Sequence, residues 1–115
     1  MKLVRSDDMM PVASSVEFAD SWWCRCRGMI GRSFKTAAFD ALVFDRCRAV
    51  HCCWMSEAID VLFLSGTMEV LGCCPLLRPW RMASGGRKCR MTVELPAGTL
   101  AASGIKKGDR LMWVE

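Results

Sequence analysis

The chain lacks several patterns that would assign a class of protein directly. No apolar run reaches the ~18 residues of a membrane-spanning helix, and residues 1–11 lack the apolar stretch of a secretion signal. We therefore expect a cytoplasmic protein with no membrane span. The sequence also has no internal repeat, no glycine-rich phosphate loop, and no paired-carboxylate or metal-hydrolase motif. It contains a single histidine, which limits the possible metal and acid–base sites.

Length and charge point to an ordinary globular domain. The 115 residues are 52% hydrophobic and 24% charged, which predicts one folded domain spanning residues 1–115. The net charge of +4 is modest, and its clusters at Arg87–Arg90 and Lys106–Lys107 are most simply explained as solvated surface. We expect no nucleic-acid partner and no cofactor. The partner that remains is an unidentified protein or small molecule.

Cysteine is unusually abundant for a chain of this length. Without a secretion signal, free thiols are the default, and we expect no disulfide to hold the fold. Adjacent cysteines on a strand point to opposite faces, so one thiol of each adjacent pair should be core and the other surface. A zinc or copper site and a redox role remain the alternatives. The eight positions are 24, 26, 47, 52, 53, 73, 74 and 89.

Hydrophobic periodicity predicts mostly strands. The run Ile59–Leu64 is almost wholly apolar, which predicts a central strand buried on both faces. Residues 20–30 have helical spacing, and Pro96-Ala97-Gly98 opens a short helix that Gly104 closes. We predict a mainly β fold, an antiparallel β-sandwich or partly closed barrel with one or two short helices. The predicted strands cover 12–19, 38–44, 49–55, 59–64, 68–74, 88–95 and 110–114.

Four segments occur in a fixed order along the chain: Arg27–Arg32; Met55 with Ile59–Leu64; Leu77–Arg81; and Glu94–Gly98 with Gly104–Asp109. Together they resemble the family known as domain of unknown function 192, over about residues 18–114. The resemblance implies a compact β-sandwich of jelly-roll type with short helices. It implies no reaction, because the family has no settled biochemical activity.

The resemblance also draws attention to Cys47, His51 and Met55, whose spacing is typical of family members without a signal peptide. A thiolate, an imidazole and a thioether suit a soft metal such as copper(I), or zinc with Asp60 added. Residues four apart on an extended strand lie ~13 Å from each other, so shared ligation needs a bend near Ala49-Val50. The simpler interpretation is a buried histidine held by backbone groups. Catalysis by a Cys–His pair is conceivable, but no oxyanion hole is recognisable.

Four further residues are candidate ligand-binding groups: Asp60, Trp54, Trp80 and Arg27. Asp60 precedes an apolar run, so its carboxylate must be hydrogen-bonded, paired with an arginine such as Arg27, or placed at a rim. The two tryptophans could line a pocket mouth, although aromatic core is their more usual place. Glu94 is expected to cap and orient the last helix together with Pro96-Ala97-Gly98.

These observations favour a small non-catalytic binding or accessory module, since no complete catalytic set is present. The alternative is a soft-metal or thiol-redox protein that uses Cys47, His51 and Met55. An enzyme would need a polar cleft with at least two convergent titratable groups.

Overall fold

A computed structural model describes residues 1–19, 34, 38–46, 49–51, 57–78 and 81–115, with the backbone alone for 49–51. Strands dominate this part of the chain, and the prediction of a mainly β fold is confirmed. The strands are β1 Lys2–Arg5, β2 Pro11–Ala13, β3 Val16–Phe18, β4 Ala41–Asp45, β5 Ala49–His51, β6 Ile59–Ser65, β7 Val70–Leu77, β8 Met82–Ser84, β9 Cys89–Pro96 and β10 Leu111–Val114; the helix α1 is Thr99–Ser103.

The strands form three sheets. A five-stranded sheet has the order β3-β4-β9-β6-β7, a three-stranded sheet the order β10-β1-β2, and β5 pairs with β8. Among the described strands the five-stranded sheet is open at β3 and β7, so it does not close into a barrel. Within the described ranges, no helix has the length and apolarity needed to cross a membrane.

Strand β6 lies inside the five-stranded sheet, between β9 and β7, and is buried on both faces as predicted. Its residues alternate between two apolar clusters. Leu62 and Leu64 belong to the cluster shared with the three-stranded sheet and α1. Ile59, Val61 and Phe63 belong to the second cluster, which includes Ala83 of β8. The helix predicted at 20–30 lies outside the described residues.

The single strand predicted at 12–19 is wrong, because the chain bends in its middle. The carboxylate of Asp40 accepts hydrogen bonds from the backbone N–H groups of Ser14 (3.0 Å) and Ser15 (2.8 Å). This bend sends β2 into the three-stranded sheet and β3 into the five-stranded one. Strand β3 then pairs with β4 in parallel, which corrects the antiparallel expectation at this edge. Residues 19–40 separate the two strands, enough for the crossover that parallel pairing requires.

Strand β1 was missed because its two buried residues, Leu3 and Val4, are adjacent and show no strand alternation. It pairs with the last strand, from Lys2 opposite Val114 to Arg5 opposite Leu111. The two ends of the described chain therefore meet in one sheet.

Free thiols are present at Cys73, Cys74 and Cys89, and the other five cysteines lie outside the described residues. Cys73 and Cys74 contact different apolar clusters, which confirms that they point to opposite faces of β7. Both are half-buried, so the expected division into one core and one surface thiol is wrong. The reason is that β7 has apolar layers on both sides.

We expect Cys73 and Cys74 to react slowly with thiol reagents. Burial is the main cause that raises the pKa of both thiols, and the nearby Asp60 carboxylate adds to it. The Cys73 thiol also donates to the Ile105 carbonyl at 3.8 Å. Less thiolate is then present at pH 8, and the thiolate is the nucleophile. Iodoacetamide labelling located by tandem mass spectrometry should be severalfold slower than that of N-acetylcysteine; equal rates would contradict the expectation.

Candidate functional site

The candidate site is centred on Glu94 in β9, the middle strand of the five-stranded sheet. The register places Glu94 between Leu42 of β4 and Val61 of β6. The line of paired residues across the sheet continues from Leu42 to Glu17 of β3 and from Val61 to Cys74 of β7. These five residues form one cross-strand row. Leu42 and Val61 belong to the second apolar cluster, on the face covered by the β5–β8 pair. Glu94 is thus a carboxyl group set into an apolar layer.

The Glu94 side chain is almost fully buried, and one of its two carboxyl oxygens has no partner among the described residues. The residue is 3% exposed, and its Oε2 atom has no hydrogen bond within the part of the chain that the structure describes. Burial raises the pKa of Glu94 to about 8. At neutral pH the group is therefore mostly a neutral carboxylic acid, which can donate one hydrogen bond and accept others.

A cleft opens at the end of β9, two residues beyond Glu94. It has a volume of about 210 Å³ and is lined by Phe34, Glu57, Pro96 and Ala97. Pro96 follows Glu94 by two residues, so both project to the same face of β9. The rim is fixed, because Glu57 Oε1 accepts the Phe34 N–H at 3.0 Å. Phe34 also packs edge-on against the Phe39 ring, with centroids 5.9 Å apart.

The interpretation of Glu94 as a helix cap is wrong. The N-cap of α1 is Gly98, which offers no side chain, and the helix N–H of Leu100 donates to Asp60 instead. A detectable signal for Glu94 was its position between Val93 and Leu95, in a strand whose other face is apolar. The sequence could not show that a second layer covers the Glu94 face.

Asp60 joins two backbone segments rather than facing a described arginine. Its Oδ2 accepts the Leu100 N–H at 2.8 Å, and its Oδ1 accepts the Leu76 N–H at 2.9 Å. The register between β6 and β7 slips here, from Ile59 opposite Leu77 to Val61 opposite Cys74. One extra residue on β7 makes a β-bulge and frees the Leu76 N–H from the strand ladder. Asp60 therefore fixes the bulge and begins the helix at the same time.

The other predicted site residues are not brought together in the described part. Arg27, Cys47, Trp54, Met55 and Trp80 lie outside it, and His51 is described only as backbone in β5, opposite Met82. No three His, Cys, Asp or Glu side chains converge as a metal site among residues with described positions. The convergence of Cys47, His51 and Met55 stays a prediction.

The model of the domain of unknown function 192 family, described as uncharacterised ACR, matches residues 3–113. The chain belongs to this family. A UPF0127 protein of Pyrococcus furiosus is 37% identical over 100 residues, covering 85% of each chain. A UPF0127 protein of Pyrococcus horikoshii is 33% identical over 104 residues, covering 85% of this chain and 86% of that one.

Two solved structures share the fold. A protein of unknown function from Novosphingobium aromaticivorans DSM 12444 superimposes with a TM-score of 0.71 at 20% identity, over 85% of this chain and 74% of that chain. A proposed transcription regulator from Sinorhizobium meliloti 1021 gives a TM-score of 0.70 at 25% identity, over 84% and 79%. The descriptions of the family and of these relatives name no reaction, and the evidence for function lies in the site itself.

Proposed function

We propose that this domain 192 family member is a small non-catalytic module that binds a small molecule, with Glu94 as its polar anchor. The ligand would enter by the cleft of Phe34, Glu57, Pro96 and Ala97. The observation that carries the proposal is the buried Glu94 Oε2 atom, which has no partner among the described residues. A ligand group that bonds this atom would supply the missing interaction.

Energetics favour a binding role over a packing role for Glu94. A buried polar group without a hydrogen bond costs about 1–3 kcal/mol, whereas an apolar side chain between Leu42 and Val61 would stabilise the sheet. A residue that lowers the stability of the fold, as the buried Glu94 carboxyl does, is typical of binding and catalytic sites. Glu57, which lines the cleft, already accepts the backbone N–H of Phe34, which favours binding over acid–base chemistry.

The protonation state of Glu94 indicates the class of ligand. A neutral carboxylic acid pairs well with a primary carboxamide, because each group donates one hydrogen bond and accepts another. The apolar neighbours Leu42, Val61 and Phe34 suit an aromatic or branched group attached to that amide. We therefore propose an apolar amide as the ligand class. A carboxylate ligand would be disfavoured by burial of its charge.

The test compares three probes of one shape: benzamide, benzoate and benzylamine. At pH 6.5 and at ~10 times its Kd, benzamide should stabilise the protein by about 1.4 kcal/mol, or roughly 5 °C in Tm. Benzoate should give no shift. Benzylamine should bind only near pH 8 and above, where Glu94 ionises. Equal shifts with all three probes would contradict an anchored amide.

Two variants separate the anchor from general packing. Glu94→Gln keeps a donor and an acceptor and should retain the benzamide response, while Glu94→Leu should lose it although the domain stays folded. Glu115→Gln, at the exposed chain end, is the matched control and should behave as wild type. An unchanged Tm shift with benzamide in Glu94→Leu would contradict the proposal.

The finer sequence predictions are kept as proposals beside this function. They are the jelly-roll form of the sandwich, the single domain over 1–115, the cytoplasmic location, and ligand contacts from Asp60, Trp54, Trp80 and Arg27. The soft-metal or thiol-redox alternative depends on Cys47, His51 and Met55. Metal analysis of protein purified under reducing conditions tests it: stoichiometric copper or zinc that is lost in Cys47→Ser would support that function.

A further inference from the structure

A second cleft lies at the other end of β9. Its volume is about 310 Å³, and it is lined by Arg46, Arg87, Cys89 and Arg90. The eight residues from Cys89 to Pro96 are seven steps of strand, or roughly 23 Å, so this cleft is separate from the one beside Pro96. Its lining is dominated by one kind of charge.

The three arginines reach the cleft from different parts of the fold. Arg46 follows β4 in the left-handed region, with φ of 57°, and its N–H donates to Asp45 Oδ1 at 3.0 Å. Arg87 lies in the turn between β8 and β9, and Arg90 is the second residue of β9. The Arg90 stem lies over the hairpin between β6 and β7, since a Cβ atom at Gly66 would be 3.6 Å from Arg90 Cγ.

The floor of the cleft is closely packed around Cys89. Cys89 is 1% exposed, and its thiol lies so close to Gly85 that a Cβ atom there would be 2.7 Å from Sγ and from Phe63 Cγ. The backbone of this turn therefore admits no side chain at Gly85.

Arg87 and Arg90 bring two guanidinium groups of like charge to one cleft, and these repel one another because arginine stays protonated at every physiological pH. The cleft is lined by no acidic side chain among the described residues. An anion placed between the guanidinium groups would relieve the repulsion. It would also accept their paired N–H groups, whose planar geometry matches phosphate oxygens.

We propose that this arginine cleft binds the phosphate group of a small phosphorylated molecule. The volume is at the lower end of small-molecule sites, which favours one or two phosphate groups with a small attached part. A nucleic-acid backbone would need a longer basic track than one cleft offers. The site goes beyond the proposed amide-binding function and uses none of its residues.

The probe is pyrophosphate, titrated by calorimetry at an ionic strength held constant with sodium chloride. Arg87→Gln and Arg90→Gln should each weaken binding roughly 5- to 10-fold, the lower part of the range for hydrogen bonds to charged groups because both side chains are exposed. Arg87→Lys should bind pyrophosphate more tightly than Arg87→Gln but more weakly than wild type. Lysine keeps the positive charge but lacks the planar set of N–H donors that arginine presents. Arg78→Gln removes an exposed arginine next to the opposite end of β7 and should bind as wild type.

Two results would overturn the proposal. The first is a pyrophosphate affinity that falls equally in Arg87→Gln and Arg78→Gln, which would mean a diffuse surface effect. The second is tighter binding of a 20-base-pair DNA duplex than of pyrophosphate, with equal losses in all arginine variants, which would assign the charge to nonspecific polyanion contact. Circular dichroism of each variant checks that the fold is intact.

Discussion

Asp60→Asn is expected to destabilise the fold by about 3 kcal/mol and to lower Tm by roughly 10 °C. Asp60 is 1% exposed, and each of its oxygens accepts one backbone N–H, from Leu76 and from Leu100. An asparagine has one oxygen and one NH₂ group, so in either orientation a donor faces a donor. One N–H group then stays buried without a partner. Urea unfolding measures the loss of free energy.

Amide hydrogen exchange shows where the Asp60→Asn change acts. Protection should fall first at Leu76 or Leu100, ahead of the centre of β6, because the bulge or the first turn of α1 opens. Asp7→Asn removes the same charge at an exposed position and is the matched control. A loss below about 0.5 kcal/mol, in the range of ordinary surface changes, would show that the two backbone bonds do not hold these segments together.

Glu94 should make the protein less stable as the pH rises through neutrality. The usual pKa of 4.5 is raised by burial to about 8 in the folded state. The folded state therefore holds its proton more tightly than the unfolded chain, so the free energy of unfolding falls as the pH rises from about 4.5 to about 8. The expected loss between pH 5 and pH 7.5 is about 3 kcal/mol. The other titratable groups of this row, Glu17 and Cys74, lie two strands away.

Glu94→Gln isolates this contribution, because the amide has the same shape and does not ionise. The variant should match wild type near pH 5 and exceed its stability at pH 7.5, with most of the pH slope removed. Denaturant midpoints across this range measure the slope for both proteins. An unchanged slope in Glu94→Gln would mean that the Glu94 carboxyl ionises normally in the fold.

The sequence predicted those parts of the fold that local pattern controls. The apolar run of β6 and the glycine-closed helix α1 were both recognisable, because burial and helix termination are controlled by local sequence. The parallel β3–β4 pair was not, since it depends on Asp40 bending the chain at Ser14-Ser15 from 25 residues away. Strand β1 was not predicted for a similar reason. It is short, and it is stabilised by pairing with β10 at the far end of the chain.

The candidate site was predictable only in part. For Asp60 the sequence left three alternatives: a hydrogen-bonded carboxylate, one paired with an arginine, or one at a rim. Both oxygens accept backbone N–H groups, but the β7 bulge that supplies the Leu76 N–H has no strong sequence signal. Glu94 carried a normal strand pattern, and only tertiary coverage of its face makes it unusual. The arginine cleft joins Arg46 to Arg87 and Arg90 across more than 40 positions, a proximity that no spacing rule reveals.

The bulge at Leu76 also bears on how molecules behave at high concentration. Among the described strands β7 is the outer strand of its sheet, and Leu76 is 58% exposed on it. A straight apolar border would invite another chain to pair with it and begin fibril growth. Pro75 has no backbone N–H to donate to another strand. Leu76, at φ of 54°, interrupts the extended conformation of β7. Asp60, by holding Leu76 in this conformation, would thereby help to keep the chain from self-assembly.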